Sequence, residues 1–172
     1  MGAQIKAGFG GDNIARGFAA LRKLGHEPHG MLRAIGSALV ETTQQRFEHG
    51  RDPEGMPWKP WSRAYAAVTT SNGILRGRGG AGGLMPSVTY KADAMSVRVG
   101  SAKIYAGVHQ FGATILPKKG KSLVFHLGKR VVFAKRVTIP ARPYLGIGPA
   151  DRAAVHEIVL AELRDALAKR RA

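Results

Sequence analysis

The sequence predicts an α+β fold: N-terminal helices, a small central antiparallel sheet built of hairpins, and a C-terminal helix packed on that sheet. Three observations predict it. Apolar residues recur at helical spacing in residues 13–48 and again in 151–167. Between 87 and 139 the period changes to two. Short turn signals, not crossover helices, separate the strand-like runs, which favours antiparallel pairing over alternating βαβ units.

The elements follow in order. Ile14, Phe18, Leu21 and Leu24 line a first helix over 13–25, behind an N-cap at Asp12 or Asn13. A second helix over 30–48 carries Leu32, Ile35, Leu39 and Phe47 on one side with Val40 beside them. Glu41, Gln44, Gln45 and Glu48 face water, and Gly50 ends the helix. The stretch Gly25–Gly30 between the two is compatible with an αα-hairpin. Residues 50–63, GRDPEGMPWKPWSR, hold three prolines and two glycines and cannot form regular structure. Trp58 and Trp61 are expected to pin this loop by burying their rings; a stacking platform for bases is the alternative.

Residues 87–101 predict a hairpin turning at 92–94, with Met95, Val97 and Val99 inward and Ser96 and Arg98 outward. KIYAGVHQFG (103–112) predicts a helical turn ended by Gly112, with His109 packed against Phe111 and its hydrogen bonds satisfied. In a second hairpin Leu123, Phe125 and Leu127 alternate up to Gly128-Lys129. Val131, Phe133, Val137 and Ile139 alternate away from it. Glycine at the first position of the two-residue loop suits a type II′ turn. PARPYLGIG (140–148) leads, extended, into a last helix N-capped by Asp151. Val155, Ile158, Val159, Leu163 and Leu167 form its apolar stripe, and the terminal KRRA sits at the negative end of its dipole.

The 172 residues suffice for one domain spanning 1–172, with 1–28 as an N-terminal helical arm and 77–83 and 117–121 as flexible loops. No apolar run approaches the ~18–20 residues of a membrane span, and the N-terminus lacks a signal-peptide core. A soluble protein without membrane association is expected. With no cysteine, disulfides and thiolate metal sites are excluded.

The charge is unevenly placed. Lys and Arg number 27 and Asp and Glu 11, a net +16. Residues 51–150 hold sixteen of the basic groups against Asp52, Glu54 and Asp93, a net +13. Such a field calls for a polyanion, an acidic protein surface, or solvation. The cations singled out are those on and before the second hairpin: Lys118, Lys119, Lys121, Lys129, Arg130, Lys135 and Arg136.

Catalytic motifs fail on context. Gly77-Arg78-Gly79-Gly80-Ala81-Gly82 matches G-x-G-x-x-G, but a strand follows it instead of a helix. The acid downstream, Asp93, lies at half the distance a dinucleotide fingerprint needs. The glycines are instead expected to let Arg76 and Arg78 reach a neighbouring subunit or DNA. Six scattered histidines form no metal pair, and the middle of the chain is too poor in carboxylates for hydrolytic chemistry. The expectation is no enzyme, no cofactor and no metal.

Several ordered stretches resemble a known family. They are Arg46-Phe47, Asp52-Pro53-x-Gly55-x-x-Trp58-x-Pro60, Ile74-Leu75-Arg76 with Leu84-x-x-Ser87, and Val99-Gly100-Ser101. Tyr105-Ala106, His109-Gln110-Phe111-Gly112 and Pro140-Ala141-Arg142-Pro143-Tyr144-Leu145-Gly146 complete the set. Over residues 30–150 the sequence resembles the virion morphogenesis, or tail completion, proteins of Mu-like tailed phages. The glycine loop departs from the family pattern, which has one short turn there. The resemblance implies a structural protein of the virion, assembled in the host cytoplasm and acting at the head–tail junction. It implies a ring, often of six subunits, with neck, portal-adaptor and tail-tube proteins as neighbours. The basic surface would then face genomic DNA in the lumen or acidic neighbours. Trp58, Trp61, Arg76, Arg78, Phe111, Arg142 and Tyr144 are the candidate interface residues or loop anchors. A basic DNA-binding module without enzymatic activity is the alternative.

Overall fold

A computed structural model describes residues 3–6, 12–23, 28–76, 83–93 and 96–171. The elements are β1 (Ala3–Lys6), α1 (Asp12–Lys23), α2 (His29–His49), α3 (Arg63–Ala66) and a 3-10 turn (Met85–Ser87). They continue with β2 (Val88–Ala92), β3 (Val97–Ser101), α4 (Ala106–Phe111), β4 (Ala113–Ile115), β5 (Leu123–Leu127), β6 (Arg130–Ala134), β7 (Val137–Ile139) and α5 (Pro149–Arg171). The fold is α+β, as the two periodicities predict.

The first hairpin forms as read, with Tyr90 opposite Val99 and Ala92 opposite Val97. Asp93 holds its turn by accepting from the Ser96 backbone N–H and hydroxyl. Met95 lies outside the described residues. The N-terminal strand β1, which the sequence reading missed, adds antiparallel to β3 and completes the order β1-β3-β2. Four residues alone carry too little pattern to be recognised.

α2 lies on this sheet, along β2 and β3. Its buried stripe is Met31, Leu32, Ile35, Gly36, Leu39, Thr43, Arg46 and Phe47. Gly36 is required by the approach: a Cβ there would stand 2.2 Å from the Tyr90 ring. Gly50 ends the helix in the left-handed conformation (φ 63°) and donates to the Arg46 carbonyl.

The layer order corrects one expectation. α5 packs chiefly on α2 and α1, so the helix covering the sheet is α2, and α1 pairs with α5 more than it forms a hairpin with α2. Val155 and Val159 are buried there as predicted, but the stripe ends on Ala166, and Leu167 is exposed. Nor is Asp151 the N-cap. The helix begins at Pro149, whose fixed φ and missing N–H suit a first helical position. Asp151, two residues further, reaches back to accept from the Gly148 N–H at 2.7 Å.

The second hairpin forms with its two-residue turn, Leu127 opposite Arg130. Gly128 has φ 61°, while Lys129 stays at negative φ, as a type II′ turn requires. β7 leaves this ribbon after Arg136 and pairs instead with β4, so Val137 and Ile139 face Ile115 and Ala113. The result is one long two-stranded arm over 113–139, interrupted by residues 116–122 on one side and 135–136 on the other.

Candidate interaction surface

Two constellations emerge from the residues singled out in the sequence, one internal and one exposed. The internal one is a clamp that fixes the irregular segments 50–62 and 140–148 to α2 and α4. Trp58 is buried, edge-on to Phe47 at 5.4 Å, and its Nε1–H donates to the Pro143 carbonyl at 2.7 Å. Tyr144 is fully buried, 5.1 Å from Phe47 between ring centres. Its burial, with the nearby Tyr105, pushes the phenol up to about 12. Arg142 is buried and donates from Nε and Nη2 to the Lys59 and Pro60 carbonyls.

Gln110, quoted in the family motif but given no role from the sequence, reads the same segment. Its Oε1 accepts from the Tyr144 and Leu145 N–H groups, and its Nε2 donates to the Leu145 carbonyl. A side-chain amide supplies both hydrogen-bonding partners that a neighbouring strand would give. Deeper still, Arg46 pairs with Asp151, both buried, and donates to the Tyr144 carbonyl at 2.9 Å. Asp151 also accepts from the Thr42 hydroxyl. This ion pair joins residues 105 apart, and no spacing rule in the sequence announces it.

His109 corrects an expectation. Phe111 turns outward, 74% exposed, and the imidazole meets Tyr105 edge-on instead, at 5.9 Å. Nδ1 is buried with no hydrogen-bond partner. Burial, and secondarily the Arg142 guanidinium, hold its pKa below the ordinary 6.5. Trp61 is half-buried against Tyr65, and Arg76 is half-buried beside Gly73. Arg78, with the rest of 77–82, lies outside the described residues.

The exposed constellation is the arm with its approach. Lys118, Lys119, Lys121, Lys129, Arg130, Lys135 and Arg136 are all exposed, and residues 94–150 contain no Asp or Glu. The same stretch concentrates apolar exposure. Of the twelve exposed large hydrophobic residues among those described, eight fall between Ile104 and Phe133.

On the β5–β6 ribbon the two faces differ. Leu123, Phe125, Leu127, Val132 and Ala134 share a half-buried face. Val124, His126, Val131 and Phe133 share the outer face and are exposed, Phe133 at 71%. The two alternating runs therefore face opposite ways, Val131 and Phe133 lying on the side away from Leu123, Phe125 and Leu127. A two-residue loop sets 127 opposite 130, and directly opposed residues share a face, so on β6 the even-numbered positions point inward. Near the turn, Gly128 comes close to Val68, where a Cβ would stand at 3.1 Å. Among the described residues, no group of three His, Asp or Glu side chains is placed to hold a metal ion. Nor is any helix long and apolar enough to cross a membrane.

The molecule is thus an α+β domain whose sequence-recognisable residues build a rigid clamp and whose exposed arm is both basic and apolar. Residues 11–164 match the phage virion morphogenesis family, and the chain belongs to it. It is 31% identical over 143 residues to the G protein of Escherichia phage Mu, a protein named for capsid assembly, covering 80% of this chain and 76% of that one. It is 29% identical over 129 residues to the Mu-like prophage FluMu G protein 2 of Haemophilus influenzae, covering 74% and 72%. No solved structure matches it. A role in building the virion follows from the family.

Proposed function

We propose that this chain is a structural, non-enzymatic subunit of a tailed-phage virion that assembles as a ring, six-membered by resemblance, and completes the tail at the head–tail junction. One observation carries the reading. Among the described residues, seven exposed cations and eight of the twelve exposed large hydrophobic residues gather in and before an arm free of acidic residues, and such a surface serves extended macromolecular contacts better than a small ligand. The phage Mu relative's name, which refers to capsid assembly, supports the same direction.

Deleting the gene is expected to leave filled heads and separate tails, counted by electron microscopy of lysates. Normal infectious particles from the deletion would overturn the reading.

The seven exposed cations of the arm favour a second reading, a module that binds the DNA phosphate backbone. It predicts duplex binding by the isolated chain that weakens steeply with salt, and loss of binding when Lys118, Lys119 and Lys121 are reversed to Glu. Absence of binding at low salt removes that reading.

A further inference from the structure

We propose that the outer face of the β5–β6 ribbon docks head-to-tail on the acidic end of α2 in a second copy of this chain. The inference rests on the ring reading above and supplies its contact.

Three properties of the ribbon define its partner. Val124, Val131 and Phe133 present an apolar centre on one face, exposed by 61%, 50% and 71%. A two-stranded ribbon alone is marginally stable in water, so a face left this open gains from being covered. The charged residues that the arm itself contributes are all cations, because residues 94–150 hold no acid. Ribbon against ribbon would therefore bring two sets of like charges together at short range, which costs free energy and is not offset by any acid in the arm. Phosphate backbone would satisfy the cations but leave Val124, Val131 and Phe133 without apolar partners. The fitting surface is apolar at its centre, negative at its rim, and different from the ribbon itself.

Among the described residues, α2 and the loop after it offer such a surface. Along the exposed side of α2, Glu41 and Glu48 lie seven residues apart, two turns on the same face. Asp52 and Glu54 follow in the loop after Gly50, at the helix end where the backbone dipole is negative. Between residues 34 and 57 there are four acids and two basic residues, Arg46 and Arg51. Arg46 is buried and neutralised by Asp151. The balance over residues 34–57 is thus four negative charges, half-buried Asp52 among them, against Arg51, a net −3 in a protein of net +16, with exposed Lys59 just beyond. Beside Asp52, in the same loop, Met56 is 63% exposed, a flexible apolar side chain able to fit an aromatic ring. The loop that presents it is firmly placed: Asp52 accepts from the Glu54 and Met56 N–H groups, and Trp58 anchors its far end.

Because donor and acceptor surfaces differ, the contact is heterologous, and repetition closes a ring or extends a filament. The acid-free arm and the acidic α2 end are then two halves of one interface, carried by every copy.

The absence of cysteine in the chain makes the test clean. Phe133→Cys and Met56→Cys, both at exposed positions, are prepared separately as whole chains, mixed at high concentration in low salt, and oxidised. The expected result is a disulfide-linked dimer in the mixture, in about tenfold excess over either variant alone. Glu48→Lys with Glu54→Lys in the Met56→Cys chain should remove it, and Lys129→Glu with Lys135→Glu in the Phe133→Cys chain should restore it. Dimers of Phe133→Cys with itself, equal to or exceeding the mixed species, overturn the proposal in favour of a symmetric arm contact. Absence of the mixed dimer while sedimentation detects assemblies overturns this contact and leaves the ring standing. Absence of both overturns the contact and the self-assembling ring together. If the mixed dimer is absent and salt-sensitive DNA binding is lost with arm charge reversal, the arm serves nucleic acid instead.

Discussion

The clamp and the arm are close in sequence and opposite in physics. In the clamp, charged and aromatic groups are buried and every one named in it is held by a stated partner: Arg46 by Asp151, Arg142 by two carbonyls, Trp58 by Pro143, Gln110 by the 144–145 backbone. In the arm, cations and large apolar groups lie open on the surface. A buried polar group without its partner carries a large desolvation penalty, so the clamp tolerates little change. The arm's exposed side chains are expected to contribute little to the stability of the free chain. The contrast teaches that the recognisable motif residues mostly hold the scaffold, and that the exposed cations and apolar groups lie apart from them.

The sharpest way to break this contrast is to remove one end of the buried ion pair. Asp151→Ala leaves the Arg46 guanidinium buried without its counterion and frees the Gly148 N–H. A loss of about 3–5 kcal/mol is expected in urea unfolding. A loss below about 1 kcal/mol would show that the clamp is not the stabilising region. Next in size, Trp58→Phe keeps an aromatic ring against Phe47 but strips the Pro143 carbonyl of its donor, at about 1–3 kcal/mol in the same assay.

The unpartnered imidazole gives a pH dependence. In the folded chain the pKa of His109 lies below 6.5, so the unfolded chain takes up the proton first. Stability is full above about pH 6.5 and falls as pH drops from there toward the folded value, below which this contribution levels off. Melting temperatures between pH 8 and 5 should show the decline, and His109→Phe should flatten it. An unchanged profile in that variant would assign the decline to other groups.

The smallest effect on stability is expected where assembly should suffer most. Val124→Ser with Phe133→Ser removes apolar surface that is already exposed, so unfolding free energy should move by no more than about 0.5 kcal/mol. Particle assembly in a complementation assay should nevertheless be lost. Were stability to drop by several kcal/mol, the ribbon's outer face would belong to the core and the contrast with the clamp would collapse.

Much of this architecture was legible because local physics carries it. The α2 stripe from Leu32 to Phe47, the Gly50 terminator, the Gly128-Lys129 turn and the 92–96 turn each depend on residues within a few positions of one another. So did the anchoring role of Trp58, since a tryptophan in a proline-rich loop has few ways to satisfy both its ring and its N–H. Several of the misses involve partners far apart in sequence. β1 was invisible because its partner β3 is about ninety-five residues away. The outward turn of Val131 and Phe133 followed from register across the ribbon, which an uninterrupted count along the strand does not reveal.

The sequence by itself determined the α+β class, the positions of most elements, the absence of cysteine chemistry and the concentration of positive charge in residues 51–150. These are properties of composition and of periods of two and 3.6, which act within a single segment. Only the tertiary structure decided that α2 rather than α5 covers the sheet, that Asp151 neutralises Arg46, that His109 loses Phe111 as a neighbour, and that the apolar face of the β5–β6 ribbon is left open. The physical reason is common to all four. Burial and ion pairing are settled by which surfaces meet after the chain has turned back on itself, and residues such as 46 and 151 become neighbours only then.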